Sequence, residues 1–384
     1  MDELPSVAGY YPFLQRYADA RPMTLSYLAQ EWPDQPTWAA HGRAKMKDLL
    51  AYRPEPAPPG ADVLEMIQRK GYIRHRVRLH VTSDRTTEMF LLIPDGLTAP
   101  APAVVALHDH GGFYYYGKEK ICETERPLPA LQEHIQTAYG GRPFADELAR
   151  RGFVVLVPDA FYFGSQRLDA NRLPAPYSDC LKGLAPGSDE YVVKYNALAW
   201  QHEEIVAKTL FAAGATWPGV LFQGDRAAVD YLVTRPEVNP NRIGCAGLSI
   251  GGFRSAHLFA LDPRIKASVV AGWMTTYGSL LYDHLHFHTW MIYVPGQLQW
   301  FDLPDVATLN APHPLMVINC LQDDLFTHEG MRAAERKIAE IYTRMGASDR
   351  FCCRYDDEPH SFKVPAQDAA IAWLERWLKG ASVE

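Results

Sequence analysis

The chain reads as an α/β protein with a mostly parallel central sheet and helices on both of its faces. Three observations lead there. From about residue 72 onward, short strand-like runs alternate with helix-like ones, an order that produces a parallel sheet covered on both sides. Several of the runs, such as Ala103-Val104-Val105-Ala106-Leu107, are apolar throughout and lack the in–out alternation of a half-exposed strand. The pentapeptide Gly247-Leu248-Ser249-Ile250-Gly251 lies between one such run and a helical one.

In order along the chain, residues 1–71 are expected to form a helical N-terminal extension. Residues 1–52 are rich in aromatic and helix-forming residues, as in Thr37 to Leu50, and the cluster Pro54 to Pro59 breaks the pattern. This extension is suited to packing on the main domain or to a contact between subunits. Residues 72–384 form the main domain. Ile73–Val81 and Thr86–Ile93 read as an antiparallel pair of strands, and Ala103–Leu107 as a buried strand. A helix over Pro143–Arg150 leads to the buried strand Phe153–Asp159. A helix over Asp225–Thr234, with Ala228, Val229, Leu232 and Val233 on one face, leads to the strand before Ser249. Ala267–Gly272 and Pro314–Asn319 are further strands. A long helix over His328–Met345, a last strand over Arg350–Tyr355 and a closing helix over Pro365–Lys379 complete the set, the last with Ala370, Trp373, Leu374 and Trp377 on one face. Residues of about 160–222 and 273–312 break the alternation. They are long, aromatic and loop-like, and insertions of that size usually serve function; here they are expected to wall or cover a pocket.

Composition narrows the class. With 47% hydrophobic and 22% charged residues the chain is an ordinary globular sequence, and a net charge of −7 without a basic patch argues against nucleic acid as a partner. No apolar run approaches the ~20 residues of a membrane span, and Met1-Asp2-Glu3-Leu4-Pro5 has no secretory apolar core. The six cysteines, Cys122, Cys180, Cys245, Cys320, Cys352 and Cys353, contain no C-x-x-C pair and read as reduced thiols. The expectation is a cytoplasmic protein that acts on a small molecule, away from membranes, with a homodimer suggested by the N-terminal extension.

The chemistry centres on Ser249. A serine on a tight strand-to-helix turn is held out above a sheet, beside the free N–H groups of the helix N-terminus. Its hydroxyl needs a base, and the base needs a carboxylate to orient it. In sheets of this type the three follow the order serine, acid, histidine. Asp323 and Asp324 follow the strand Pro314–Asn319, and His360 follows the last strand, so both positions fit. A developing oxyanion needs two backbone donors. Ile250 supplies one; His110, with Gly111 next to it, is expected to supply the other from the loop His108-Asp109-His110-Gly111-Gly112-Phe113. Tyr114, Tyr162, Trp273 and His286 are the candidates for contact with substrate.

These segments resemble the α/β-hydrolase superfamily, and most nearly its dienelactone-hydrolase-like and acetyl-xylan-esterase-like branch. The residues that carry the likeness are the His108–Gly112 loop with Gly117-Lys118-Glu119-Lys120 after it, the Gly247–Gly252 turn, the Asp323 loop and Pro359-His360-Ser361-Phe362. It covers about residues 75–380. The resemblance implies the α/β-hydrolase fold with an eight-stranded type of sheet, a Ser-His-Asp triad and ester hydrolysis. It also implies that the acid lies four residues before the Thr327 that opens the next helix, which selects Asp323 over Asp324. Dienelactone hydrolases proper carry cysteine where this chain has Ser249.

The function expected is therefore a serine esterase that works through an acyl-enzyme and needs no cofactor. Alternatives are a peptidase of the prolyl-oligopeptidase type and a hydrolase-fold protein that binds without catalysis. His284-Leu285-His286-Phe287-His288 would place alternate histidines on one side of a strand, an arrangement that could suit a metal, but only Asp283 is near to complete a set, and a polar pocket wall or an interface is the preferred reading. Trp200-Gln201-His202-Glu203-Glu204, expected on a helix within the first insertion, lacks the second histidine of a zinc-binding helix, so no metal site is assigned. Tyr114-Tyr115-Tyr116 suits either stacking on a sugar or aromatic group, or packing.

Overall fold

The computed structural model describes residues 11–20, 22–55, 57, 60–281 and 284–380. The acidic N-terminus, most of the proline cluster beyond Glu55, and Asp283 lie outside them. In chain order the elements are α1 (Pro12–Asp19), α2 (Gln35–Leu50), β1 (Ala61–Arg69), β2 (Tyr72–His80), β3 (Thr86–Pro94), β4 (Ala101–Leu107), α3 (Pro129–Tyr139), α4 (Phe144–Arg150) and β5 (Val154–Pro158). Then come α5 (Asp189–Ala212), α6 (Trp217–Leu232), β6 (Val238–Leu248), α7 (Ile250–Leu261), β7 (Ile265–Ala271), α8 (Tyr277–Leu280) and α9 (Leu303–Ala307). The chain closes with β8 (Leu315–Cys320), α10 (His328–Arg344), β9 (Phe351–Asp356) and α11 (Val364–Leu378).

The strands form one nine-stranded sheet in the order β1-β2-β3-β5-β4-β6-β7-β8-β9. β1, β2, β3 and β5 pair antiparallel in sequence, and from β5 across to β9 every neighbour is parallel. The parallel part is the expected one: β5 and β8 are buried along their whole length, with a separate apolar core on each face of the sheet. From β4 the chain moves to one side to make β5 and then crosses back to make β6 on the other. The strand order reverses there, and in open α/β sheets the crevice at such a point holds the ligand.

Two regions differ from expectation. The span 1–71 is not helical throughout: β1 lies within it and extends the sheet to nine strands. Its sequence hides this, because a register shift between Val63 and Glu65 breaks the alternation and the edge position leaves Val63 and Met66 exposed. The 160–222 segment is less loop-like than expected: its middle is the 24-residue helix α5. That helix exposes Val193, Trp200, Ile205 and Phe211 while burying Val192, Leu198 and Ala199, so no single apolar stripe marks it.

The extension packs on the main domain. Trp38 and Met46 of α2 are fully buried, and Gly42 lets the helix come close to Leu309. Arg43 fastens it, with Nε donating to the Ala260 carbonyl at 2.8 Å and Nη2 to Asn310 Oδ1 at 2.8 Å. Among the described residues no single helix is long and apolar enough to cross a membrane.

Candidate active site

β6 enters α7 through Ser249, whose backbone sits at φ 60° and ψ −121°. A non-glycine residue pays about 1–3 kcal/mol to hold such a conformation, so its surroundings must fix it. The Ser249 N–H donates to the Ala271 carbonyl at 2.9 Å, and the Ser249 carbonyl accepts from Phe253 N–H at 2.9 Å. The flanking glycines have a steric cause. A side chain at Gly247 would meet the Leu107 carbonyl oxygen and the Gly251 backbone at 2.5 Å, and one at Gly251 would run into the Leu107 carbonyl. β4, β6 and the first turn of α7 thus approach as only glycine allows. The first-turn N–H groups of α7, Ile250 foremost, have no helical acceptor.

His360 follows β9 and Asp323 follows β8. Asp323 is buried, and its Oδ2 lies 2.5 Å from His360 Nδ1 while its Oδ1 accepts from Leu325 N–H at 3.0 Å. A carboxylate only accepts, so the imidazole proton sits on Nδ1 and Nε2 keeps its lone pair. That Nε2 is buried and, among the described residues, has no protein partner. Gly272, at φ 57°, seats the ring, since a side chain there would come within 3.1 Å of His360 Cε1. Asp324 is exposed. Ser249 and His360 line one cavity of about 200 Å³, together with His110, Gly111 and Ile250.

The loop after β4 is tied down from behind. His108 Nε2 accepts from Ala160 N–H at 3.1 Å, and Asp109 accepts from Tyr139 Oη at 2.7 Å and from His134 at 3.0 Å. Lys120, fully buried, donates Nζ to the carbonyls of Asp109 at 2.6 Å and His110 at 3.1 Å. Burial draws its pKa down to about 8 against the opposing pull of Asp109 and Asp159.

One further residue organises the site and was not read from the sequence: Glu203 of α5. Its Oε1 accepts from His110 Nε2 at 2.7 Å and Tyr114 Oη at 2.6 Å; its Oε2 accepts from Thr289 Oγ1 at 2.6 Å and Trp290 N–H at 3.3 Å. Burial alone would raise its pKa, but the hydrogen bonds from His110, Thr289 and Tyr114 outweigh it, and the net shift is downward. Gly112 N–H donates to His110 Nδ1 at 3.0 Å, so the His110 proton is on Nε2, facing Glu203. One buried carboxylate therefore joins the loop after β4 to the pocket wall. The available signal was a glutamate in register with the buried Asn196, Ala199 and Ala207 of a helix.

The expected substrate contacts separate. Trp273 lines the cavity, packed edge-on against Phe253 and Phe326. Tyr114 turns away, fully buried against Phe163 with its hydroxyl on Glu203. Tyr162, at φ 83°, is buried against Trp217 with its hydroxyl on the Ala199 carbonyl. His286 is exposed and lies outside the cavity, whereas His288 lines it with Trp200, Phe287, Thr289, Ile292, Leu325 and Phe326. Residues 285–287 form a turn of 3₁₀ helix, not a strand, so the histidines do not point the same way. No cluster of three or more potential metal ligands occurs among the described residues.

The dienelactone hydrolase family model matches residues 135–377. The protein YtaP of Bacillus subtilis (strain 168) is 25% identical over 340 residues, 88% of this chain and 99% of its own. Among solved structures, a candidate acetyl xylan esterase of Bacteroides fragilis NCTC 9343 superposes with a TM-score of 0.68 at 16% identity, over 90% of this chain and 82% of that one. A glucuronoyl esterase from Solibacter usitatus gives 0.59 at 14% identity, over 93% and 97%.

Proposed function

This chain belongs to the dienelactone hydrolase family of hydrolases, and from that premise we propose that it is a serine esterase that cleaves carboxylic esters through an acyl-enzyme. The observation that carries the reading is the unpartnered Nε2 of His360, whose Nδ1 proton is held by Asp323 and which shares a cavity with Ser249. Ser249 Oγ attacks the ester carbonyl as His360 Nε2 takes its proton. The Ile250 N–H and an N–H of the His110–Gly111 loop receive the charge that forms on the carbonyl oxygen. The tetrahedral intermediate collapses as His360 returns the proton to the leaving alcohol, and a water then repeats the sequence to free the acid and Ser249. Asp323 holds the imidazole tautomer and balances the imidazolium.

At about 200 Å³ the cavity falls below the ~300–1,000 Å³ of drug-sized sites, which supports a short acyl or alkoxy group inside it. Its aromatic walls, Trp200, Trp273, Phe287 and Phe326, support an uncharged group there. The similarity to esterases of acetyl xylan and glucuronoyl type supports an ester as the bond cleaved. The test is Ser249→Ala with a panel of p-nitrophenyl esters and a fluorophosphonate probe. Turnover is expected to fall by several powers of ten, and label is expected on Ser249 in the native chain alone. Label elsewhere, or retained turnover, would reject the assignment.

A further inference from the structure

The tyrosine run 114–116 divides. Tyr114 turns inward to Glu203, but Tyr115 and Tyr116 help line a second cleft, of about 520 Å³, which shares no lining residue with the cavity of Ser249. Tyr191 and Tyr195 of α5, with Arg167 and Asn171, form other parts of its lining. Three features define what it can hold.

The first is charge. Every charged carboxylate or ammonium in the lining is matched within the protein. Lys118 meets Asp159 at 2.9 Å and Glu119 at 2.8 Å; Glu88 meets Arg76 at 3.3 Å and Arg78 at 3.4 Å; Asp169 meets Arg172 at 3.3 Å. A cation bound there would find no uncompensated carboxylate; the guanidinium of Arg167, which has no carboxylate partner among the described residues, is the one charge of the lining left open to a ligand, so the ligand carries no positive charge. The second is preorganisation. Arg167 lies 4.4 Å over the Tyr115 ring and donates to the Gly164 carbonyl at 2.9 Å. Tyr195 Oη donates to the Leu168 carbonyl at 2.7 Å, and the Tyr191 and Tyr195 rings are near parallel with centroids 6.3 Å apart. Asn196 Oδ1 holds the Tyr115 N–H at 3.0 Å. Rings already fixed cost little to order on binding. The third is unspent hydrogen-bonding capacity. Among the described residues the hydroxyls of Tyr115, Tyr116 and Tyr191 have no protein partner.

We propose that this cleft is a binding site for a hydroxyl-rich ring without positive charge, a pyranose unit of a saccharide. Such a ring offers a C–H face to the partly exposed rings of Tyr191 and Tyr116, whose faces carry partial negative charge, and hydroxyls at its edge to the free phenols and the Asn171 amide. The site goes beyond the esterase reading and does not depend on it.

The experiment is calorimetric titration of full-length Ser249→Ala with xylotetraose and with cellotetraose, repeated with Tyr191→Ala and Tyr191→Phe added. Saturable binding is expected, weakened about tenfold by Tyr191→Ala, as loss of one stacked ring gives, and less by Tyr191→Phe, which keeps the ring. Unchanged thermal unfolding verifies that each variant is folded; Tyr191 is only partly buried. Absence of saturable binding of either saccharide, or binding that Tyr191→Ala leaves unchanged, overturns the proposal. So does preferential binding of a flat aromatic probe such as naphthol. Because Ser249 is already removed, these results are independent of whether the native chain hydrolyses esters.

Discussion

The candidate active site has two halves that are built differently. Ser249, Asp323 and His360 sit at the C-terminal ends of β6, β8 and β9, and what fixes them is backbone: a serine at φ 60°, glycines against the Leu107 carbonyl, and Gly272 under the imidazole. The wall comes from insertions, and what fixes it is side-chain hydrogen bonding gathered on a single carboxylate, Glu203. The topology of the sheet dictates where the first half stands. The second half stands where it does because a buried charge must find partners. Substitutions in the first half should therefore strike the chemical step, and those in the second the alignment of the loop and wall.

The largest difference is expected within the first half, between neighbours. Asp323 is buried on His360 and Asp324 is exposed. Asp323→Asn should lower turnover by roughly 10⁴-fold, because the amide favours the wrong imidazole tautomer. Asp324→Asn should leave it within about twofold, as exposed substitutions away from special features commonly do. Both are read on one activated ester, and the reverse ranking would place the acid one residue later.

The comparison is tested next at Glu203. Glu203→Ala should reduce turnover on the order of 10²-fold, the loss that follows a displacement of about 1 Å at a site. Glu203→Gln, which can still accept from His110 while losing one acceptor for the wall, should cost less. A merely structural role would not change the His110 proton: ¹⁵N spectra should show Nε2 protonated in the native chain and mixed tautomers in Glu203→Ala. Native-like spectra in an impaired variant would divorce Glu203 from the His110 loop.

What was legible in the sequence follows the same division. The apolar strands β4, β5 and β8 and the pentapeptide around Ser249 are local patterns with local causes; chain order points to the pair Asp323 and Asp324 and to His360, and the choice of Asp323 is what the family resemblance implies. β1 was not legible, since a register shift and an exposed edge erase its alternation. Glu203 was not legible as a site residue, because its partners are 93, 89, 86 and 87 residues away in sequence, at His110, Tyr114, Thr289 and Trp290. Tyr114 and Tyr162 were placed at the pocket as aromatic residues near catalytic segments, but hydroxyls that reach Glu203 and the Ala199 carbonyl turn both inward.

The smallest effects should come from the histidine run, and they separate its members. His288 lines the cavity, donates Nε2–H to the Leu325 carbonyl at 3.0 Å, and so ties the wall to the Asp323 loop. Burial lowers its pKa to about 4. In the unfolded chain it would bind a proton near pH 6.5, so between about 6.5 and 4 the unfolded state holds more protons than the folded one. Its contribution to stability is then present above pH 6.5 and lost as the pH falls toward 4. His288→Gln should flatten that part of the stability–pH curve, measured by urea unfolding at pH 7 and pH 5. Only His288 of the two should matter: His286 is exposed and off the cavity, so His286→Ala should leave both turnover and slope unchanged. Exhaustive chelation should likewise leave turnover unchanged, since in the proposed reaction Ser249 and His360 supply nucleophile and base themselves. Loss of turnover on chelation, restored by a divalent ion, would assign the histidines to a metal and move the chemistry from the strand ends to the wall.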